Sequence, residues 1–331
     1  MIISKTPFRI SFFGGGTDYP AWYEDNEGAV LSTTIDKYCY ITCRYLPPFF
    51  EHKHRIVYSK IENVTNIKDI RHPAVRAVLQ YLKVKQGLEI HHDGDLPARS
   101  GLGSSSSFTV GLLNTIYALQ GVRPSKYKLA KEAIHIERDL LREAVGSQDQ
   151  VAAAYGGFNK ITFKRDHEFC VEPLIVRRQR LEQLQNHLVI YFTGLSRIAS
   201  KIAREQIRLT PSRQQELAEM HGMVDKARDI LSNDGELDEF GRLLHETWKL
   251  KRSLSRKISN DKIDDIYQAA RECGAAGGKL LGAGGGGFML FYIKPRLKNK
   301  LKAKLKGLLE VKFSFEREGS QVIFCHDQGM K

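Results

Sequence analysis

The stretch Pro97-Ala98-Arg99-Ser100-Gly101-Leu102-Gly103-Ser104-Ser105-Ser106-Ser107 lies between a strand-like run and a helix-like run, and its reading decides the fold. Glycine lets backbone approach a ligand closely, and the start of a helix leaves N–H groups without intrahelical partners. Together these make an anion cradle, with phosphate as the expected guest. Behind the loop, Phe108, Leu112, Leu113, Ile116 and Leu119 fall on one stripe, which predicts a helix over Phe108 to Leu119 whose positive dipole end faces the loop. The serine hydroxyls add donors for phosphate oxygens and a candidate ligand for Mg²⁺. A serine-capped helix after a linker has the same local wording, so the loop needs companions elsewhere in the chain.

The 331 residues are 42% apolar, enough for a full core in one large or two medium domains. Five cysteines without a C-x-x-C pair fit a reducing compartment better than a disulfide framework, and no Cys/His cluster has zinc-finger spacing. Met1 to Pro7 lacks the apolar core of a signal peptide and no apolar run is long enough to span a bilayer, so the expected location is the cytoplasm. The net charge of +13 admits nucleic acid, an anionic membrane surface or phosphorylated small molecules as partners. Much of the excess lies between Lys294 and Lys312, where Lys298, Lys300, Lys302, Lys304 and Lys306 interleave with Leu297, Leu301, Leu305 and Leu308. That is the pattern of a helix packed by its leucines with its lysines in water.

Taken in order, Ile2 to Phe13 alternates as a strand and ends in the turn Gly14-Gly15-Gly16-Thr17-Asp18-Tyr19-Pro20, where Asp18 can point at a ligand. Strands are expected at Ala29 to Tyr45, Arg55 to Ser59 and Leu88 to His92, with a helix from about Ala74 to Val84. After the serine loop come helices over Phe108 to Leu119 and Lys126 to Leu141, a short segment Gly146-Ser147-Gln148-Asp149-Gln150, and strands at Gly157 to Phe163 and Phe169 to Leu174. A charged connector, Arg177 to Gln185, marks the expected boundary between domains 1–180 and 181–331. The second half reads as strand His187 to Thr193, helices within Ala199 to Leu231, Leu237 to Ser255 and Lys262 to Cys273, and strand Phe288 to Ile293. The lysine helix and strands Val311 to Phe315 and Gln321 to Cys325 follow. This is an α+β layout.

Gly282-Ala283-Gly284-Gly285-Gly286-Gly287 matches G-x-G-x-x-G but runs directly into the strand Phe288-Met289-Leu290-Phe291-Tyr292, whereas the dinucleotide fingerprint opens a helix. Tight backbone packing is the expected use of Gly284, Gly285 and Gly286, supporting the phosphate loop.

The segment Thr6 to Tyr19, the loop Pro97 to Ser107 and the stretch Gly282 to Gly287 resemble, in order and separation, the three motifs of the GHMP kinases, and the resemblance spans nearly the whole chain. It implies a two-domain fold, with an N-terminal ribosomal-protein-like α/β domain and a C-terminal ferredoxin-like α+β domain. Within that superfamily, Phe-Phe-Gly-Gly-Gly-Thr-Asp-Tyr-Pro, Ile35-Asp36-Lys37-Tyr38, Gly146 to Gln150, and Trp248 with Lys249, Leu254 and Ile258 look most like the heptose 7-phosphate kinase branch, which phosphorylates the anomeric hydroxyl.

The resemblance implies ATP and Mg²⁺ as cofactors, Asp149 as the catalytic aspartate and Arg9 as the basic residue facing it. Asp18, with Gly15 and Gly16, would bind the sugar. Arg99, Ser100, Gly101, Leu102, Gly103 and Ser104 to Ser107 would hold the nucleotide, with Ser104 or Ser105 and Glu137 on the metal. Gly15-Gly16 stands where galactokinase has Glu-His, which argues against galactose. A substrate already phosphorylated asks for a cation cluster away from the loop, and Arg197, Lys249 and Arg252 are the candidates.

The chemistry agrees, since phosphoryl transfer asks for positioning, charge neutralisation and a carboxylate to take the hydroxyl proton. The expected activity is formation of a heptose 1,7-bisphosphate for nucleotide-activated heptose and bacterial surface polysaccharide synthesis. The same fold acting on L-fucose or an unphosphorylated heptose is the nearest alternative. A nucleic-acid-binding protein is an alternative of another class, disfavoured because no aromatic-interleaved basic strand or helix-turn-helix appears. Neither a membrane nor nucleic acid is an expected partner. A homo-oligomer is compatible with the sequence but not legible in it.

Overall fold

A computed structural model of the chain describes residues 1–98, 101–195 and 199–326. Its organising pair is β1 (Ile2–Phe13) against β2 (Gly28–Tyr45), an antiparallel ladder as long as the Val, Ile, Thr and Tyr content of the two runs suggests. The register shifts between Pro7 and Phe8, where proline has no N–H to give the ladder, and again between Ser11 and Phe13. Phe8 to Phe13 is buried without alternation because both faces of β1 are covered.

The N-terminal half continues through α1 (Pro20–Tyr23), the hairpin β3 (His54–Val57) and β4 (Ile61–Val64), α2 (Pro73–Tyr81) and β5 (Leu88–Gly94). Then come α3 (Ser104–Leu119), α4 (Lys126–Ile134), α5 (Gln148–Tyr155), the hairpin β6 (Phe158–Phe163) and β7 (Phe169–Pro173), and α6 (Arg178–His187). The second half holds β8 (Leu188–Phe192), α7 (Ala199–Leu209), α8 (Gln214–Ser232), α9 (Asp238–Leu254), α10 (Asp261–Glu272), β9 (Gly277–Leu280) and β10 (Phe288–Tyr292). It ends with α11 (Lys298–Lys304), β11 (Leu309–Val311), β12 (Phe315–Glu316) and β13 (Gln321–Cys325).

Among the described residues nine strands form one sheet along β13-β1-β2-β5-β3-β4, with β6 and β12 also on β2 and β7 on β6; four form a second, antiparallel sheet, β11-β8-β10-β9. This is a two-domain layout, but the chain does not divide at 180 as the sequence suggests. β12 pairs with β2 and β13 with β1, so residues 315–325 return to the first sheet. The expected strand Val311 to Phe315 is two short pieces in different sheets. The charged connector is helix α6, hidden from sequence reading because only Leu184 of its apolar residues is fully buried. The lysine helix stops at Lys304, with Leu301 and Leu305 buried and Lys300, Lys302 and Lys304 exposed, as the leucine spacing predicts. β4, which carries Glu62 and Asn63, was not legible as a strand.

The return of the chain bears on the site because residues 318–320 pack against α5. Gly156 ends that helix at φ +69°, and a Cβ there would lie 2.0 Å from the Glu318 carbonyl carbon; the Ser320 N–H donates to the Ala153 carbonyl at 2.9 Å. Gly156→Ala should lower the thermal midpoint by about 3–8 °C, since strain at such a site is worth about 1–3 kcal/mol. Calorimetry of the variant checks this, and an unchanged midpoint would show that the 318–320 segment yields without cost.

Candidate active site

The first motif, the serine loop and the start of α5 meet at Arg9. Its guanidinium donates through Nε to Asp149 Oδ1 at 2.7 Å and through Nη2 to Asp149 Oδ2 at 2.8 Å, a two-pronged pair. Its Nη1 donates to the Gly101 carbonyl at 2.8 Å, and its backbone N–H to the Leu102 carbonyl at 3.0 Å. One side chain on β1 thus fixes both the carboxylate and the loop. Asp149, which the sequence puts in a short segment, stands in the first turn of α5. Arg9 is nearly enclosed, whereas the Asp149 side chain keeps 26% exposure, leaving an open approach to the carboxylate.

Helix α3 begins at Ser104, a turn earlier than its apolar stripe suggests, because Gly103 at φ +78° closes the loop and starts the helix. The first-turn N–H groups therefore point out of the helix end beside Asp149; a Cβ on Gly103 would sit 3.6 Å from the Asp149 carboxylate. The serines divide. Ser107 Oγ donates to the Pro7 carbonyl at 2.9 Å and Ser106 Oγ to Glu137 Oε2 at 2.7 Å, and both residues are buried. Their hydroxyls are spent inside the protein, which corrects the expectation that all four serine side chains hold phosphate. Ser105 is exposed at the helix start. Arg99 and Ser100 lie outside the described residues, as does Arg197.

Glu137 sits in a π-helical turn, His135–Leu140, that continues α4, where a single α-helix was expected. It is fully buried and also accepts from Thr109 Oγ1 at 2.7 Å and from Gln150 Nε2. Burial pushes its carboxyl up to about 7, outweighing these three hydrogen bonds. The fit to Mg²⁺ is good. The available donors are hard oxygens, a carboxylate has about four lone-pair sites of which three are used, and a cation would favour the ionised form that burial disfavours. Glu137 with Ser104 or Ser105 would hold the ion, which would supply charge neutralisation at the phosphates. Among the described residues no cluster of three or more His, Cys, Asp or Glu side chains offers a rival site.

Asp18 is buried in the glycine turn, accepting from the Gly16 N–H at 2.9 Å. Burial raises its pKa, Gly16 opposes this and the nearby Asp149 adds to it. Gly146 makes the room, since a Cβ there would fall 1.9 Å from Asp18 Oδ2. Gly15 lies beside Gln148 and Ser11, and Gly16 beside Leu217 and Leu254. The glycine stretch meets the loop through Gly282, whose Cβ would lie 2.5 Å from the Gly101 Cα. Gly284 and Gly285 pack instead on Ile258, and Gly286 on Leu195, rather than on the loop.

Two further basic residues, not among those the sequence motifs point to, lie buried at the centre. Lys251, on α9, is buried with its Nζ on the Gly282 carbonyl, and Lys279, on β9, donates to the Phe12 carbonyl at 2.7 Å. Lys251 was legible in principle, because it falls on the stripe Phe240, Leu244, Trp248 that α9 buries. The flanking candidates are turned outward: Lys249 pairs with Glu246 at 2.9 Å and Arg252 with Asp264 at 2.6 Å, both on exposed surface. The structure does not bring them to Asp149.

Residues 68–157 match the N-terminal domain of the GHMP kinases and residues 227–309 match their C-terminal domain. The chain is 31% identical to D-glycero-alpha-D-manno-heptose 7-phosphate kinase of Campylobacter jejuni, over 96% of this chain and 97% of that one. Among solved structures it is similar to a putative sugar kinase from Campylobacter jejuni, with a TM-score of 0.70, 28% identity and 97% of both chains covered. A D-glycero-D-manno-heptose 1-phosphate kinase from Bacteroides thetaiotaomicron shares the fold, with a TM-score of 0.75 at 24% identity over 99% and 100% of the two chains. The chain belongs to the GHMP kinases.

The buried carboxyl gives a prediction whose sign is fixed. Glu137 keeps its proton to about pH 7 when folded but only to about 4.5 when unfolded, so the metal-free protein should lose stability as pH rises from 4.5 through 7. Glu137→Gln, which mimics the protonated form, should abolish that loss and any Mg²⁺-dependent gain in thermal midpoint. Melting curves at pH 5 and pH 8, with and without Mg²⁺, check it; identical pH dependence in both proteins would remove Glu137 from this role.

Proposed function

We propose that this chain is a sugar kinase that transfers the γ-phosphoryl group of ATP to the anomeric hydroxyl of D-glycero-D-manno-heptose 7-phosphate. The observation that carries the reading is the Arg9–Asp149 pair at 2.7–2.8 Å set beside Gly103, at the N-terminus of α3. ATP is the phosphate donor of the family. The heptose rests on the motif wording and on the 31% identity to the Campylobacter enzyme.

In this reading the loop amides of α3 receive phosphate oxygens and Asp149 receives the substrate hydroxyl. The hydroxyl oxygen bonds to the γ-phosphorus, the bond from that phosphorus to the β,γ-bridging oxygen breaks, ADP departs, and the hydroxyl proton passes to Asp149. Arg9 holds both carboxylate oxygens, so Asp149 meets the hydroxyl in one orientation. Asp18, which accepts from the Gly16 N–H and feels the charge of Asp149, would accept from sugar hydroxyls in this reading. The product would feed nucleotide-activated heptose synthesis. The outward ion pairs of Lys249 and Arg252 leave the sugar phosphate to other groups, and Arg197 keeps that candidacy.

Asp149→Asn should lower kcat at least ~10²-fold while ATP binding survives, because a lost proton acceptor is commonly worth that much. Steady-state kinetics beside an ATP titration check it, and near-normal turnover in the folded variant would remove Asp149 as the base. The substrate is checked by ADP release with Mg·ATP on heptose 7-phosphate, heptose 1-phosphate, unphosphorylated heptose and L-fucose, and ³¹P NMR locates the new phosphate. The reading expects heptose 7-phosphate to give the highest kcat/KM. Preference for any other sugar in the panel would move the assignment to that sugar.

A further inference from the structure

The centre described so far uses Arg9, Asp149, Asp18, Glu137 and the loop, and leaves Lys251 without a role. Burying an ammonium is costly, and a lysine at a helix position otherwise filled by Phe240, Leu244 and Trp248 is a poor choice for packing alone. It is 5% exposed, and its Nζ reaches two carbonyl oxygens, that of Gly282 closely and that of Leu280 at 3.4 Å. Gly282 is also where the second half of the chain touches the phosphate loop, backbone to backbone, on Gly101. The Gly101 carbonyl in turn accepts from Arg9 Nη1, and Arg9 holds Asp149. A continuous line of contacts thus runs from the ammonium on α9 through Gly282, Gly101 and Arg9 to the carboxylate.

We infer that Lys251 is a positioning residue of the phosphoryl-transfer centre: it clamps the Gly282 segment onto the phosphate loop and thereby holds the Arg9–Asp149 pair in register. The groups that face it fit the task. Burial dominates and pushes its ammonium down to about 8, Arg9 adds to this, and Asp18 and Asp149 favour its charge. Lys279 is also buried, has its pKa lowered by burial first and then by Lys251, and braces β9 against β1 through the Phe12 carbonyl. A charged Lys251 offsets the two carboxylates, and a clamp made by an ammonium on a carbonyl is stronger than a neutral one.

The inference rests on the kinase reading for its kinetic arm alone. Hydrogen exchange at the Arg9 and Ser107 amides, which donate to the loop carbonyls of Leu102 and Gly103, should rise at least ~10-fold in Lys251→Met, with exchange in the rest of β1 and in β2 unchanged. On whichever sugar the wild type turns over, kcat should fall ~10²-fold, and wild-type kcat should decline on an alkaline limb near pH 8. Lys251→Arg, which stays charged across that range, should regain part of the loop protection and lack the limb; it also carries the exchange test if the methionine variant does not fold. Unchanged exchange at the Arg9 and Ser107 amides overturns the clamp whatever happens to kcat, and an equal loss of protection across the whole protein reduces Lys251 to a structural residue. No wild-type turnover on any sugar would fail the kinase reading and leave the exchange result to decide the clamp.

Discussion

The arrangement of this protein depends on a single guanidinium. Arg9 has its Nε, Nη1 and Nη2 directed at three acceptors, two on Asp149 and one on Gly101, and its backbone adds a fourth bond to the loop. Such a group, nearly closed off from water, is tolerated because its charge is paired and its donors are used. The acceptors come from two distant parts of the chain. Asp149 must come from the first turn of α5, Gly101 from a loop whose φ only glycine adopts readily, and both must approach β1 from the same side. The long β1–β2 ladder is what makes that approach reproducible.

Around that pair, glycines act as distances. Gly103 lets the start of α3 lie beside the Asp149 carboxylate, Gly146 admits the buried Asp18, and Gly101 with Gly282 brings two backbones into contact. At Gly146, Gly101 and Gly282 a methyl group would occupy space that a charged or backbone atom now fills, and at Gly103 it is the φ of +78° that calls for glycine. The result is a centre in which carboxylates, cations and helix amides are close enough to act on one another, with little side-chain bulk between them.

Much of this was legible in the sequence where a short-range rule governs. The serine loop, the turn ending in Asp18 and the strand signals of Ile2 to Phe13 each declare themselves by residue type and spacing. The rest depended on tertiary context. Asp149 in Gln-Asp-Gln carries no local mark of its pairing with a residue 140 positions away. Glu137 looks like one half of a solvated helix pair until the π-helical turn places it among Ser106, Thr109 and Gln150. Lys249 and Arg252 share a helix face and so seemed a cluster, but the buried stripe of α9 runs through Lys251 between them. Charge at an apolar position was the informative signal, rather than charge in pairs.

The strand at the far end of the chain carries a different consequence. Because β13 pairs with the very first strand, Ile2 opposite Cys325, the first sheet is incomplete until nearly all the chain is available. Contacts of such sequence separation carry a large loop-closure cost before they return any stability, so they form late. Two lobes by shape are therefore coupled in folding, and neither can be treated as an independent cooperative unit. A chain cut short before residue 321 would leave an edge of β1 unpaired, an invitation to association with other unfinished copies.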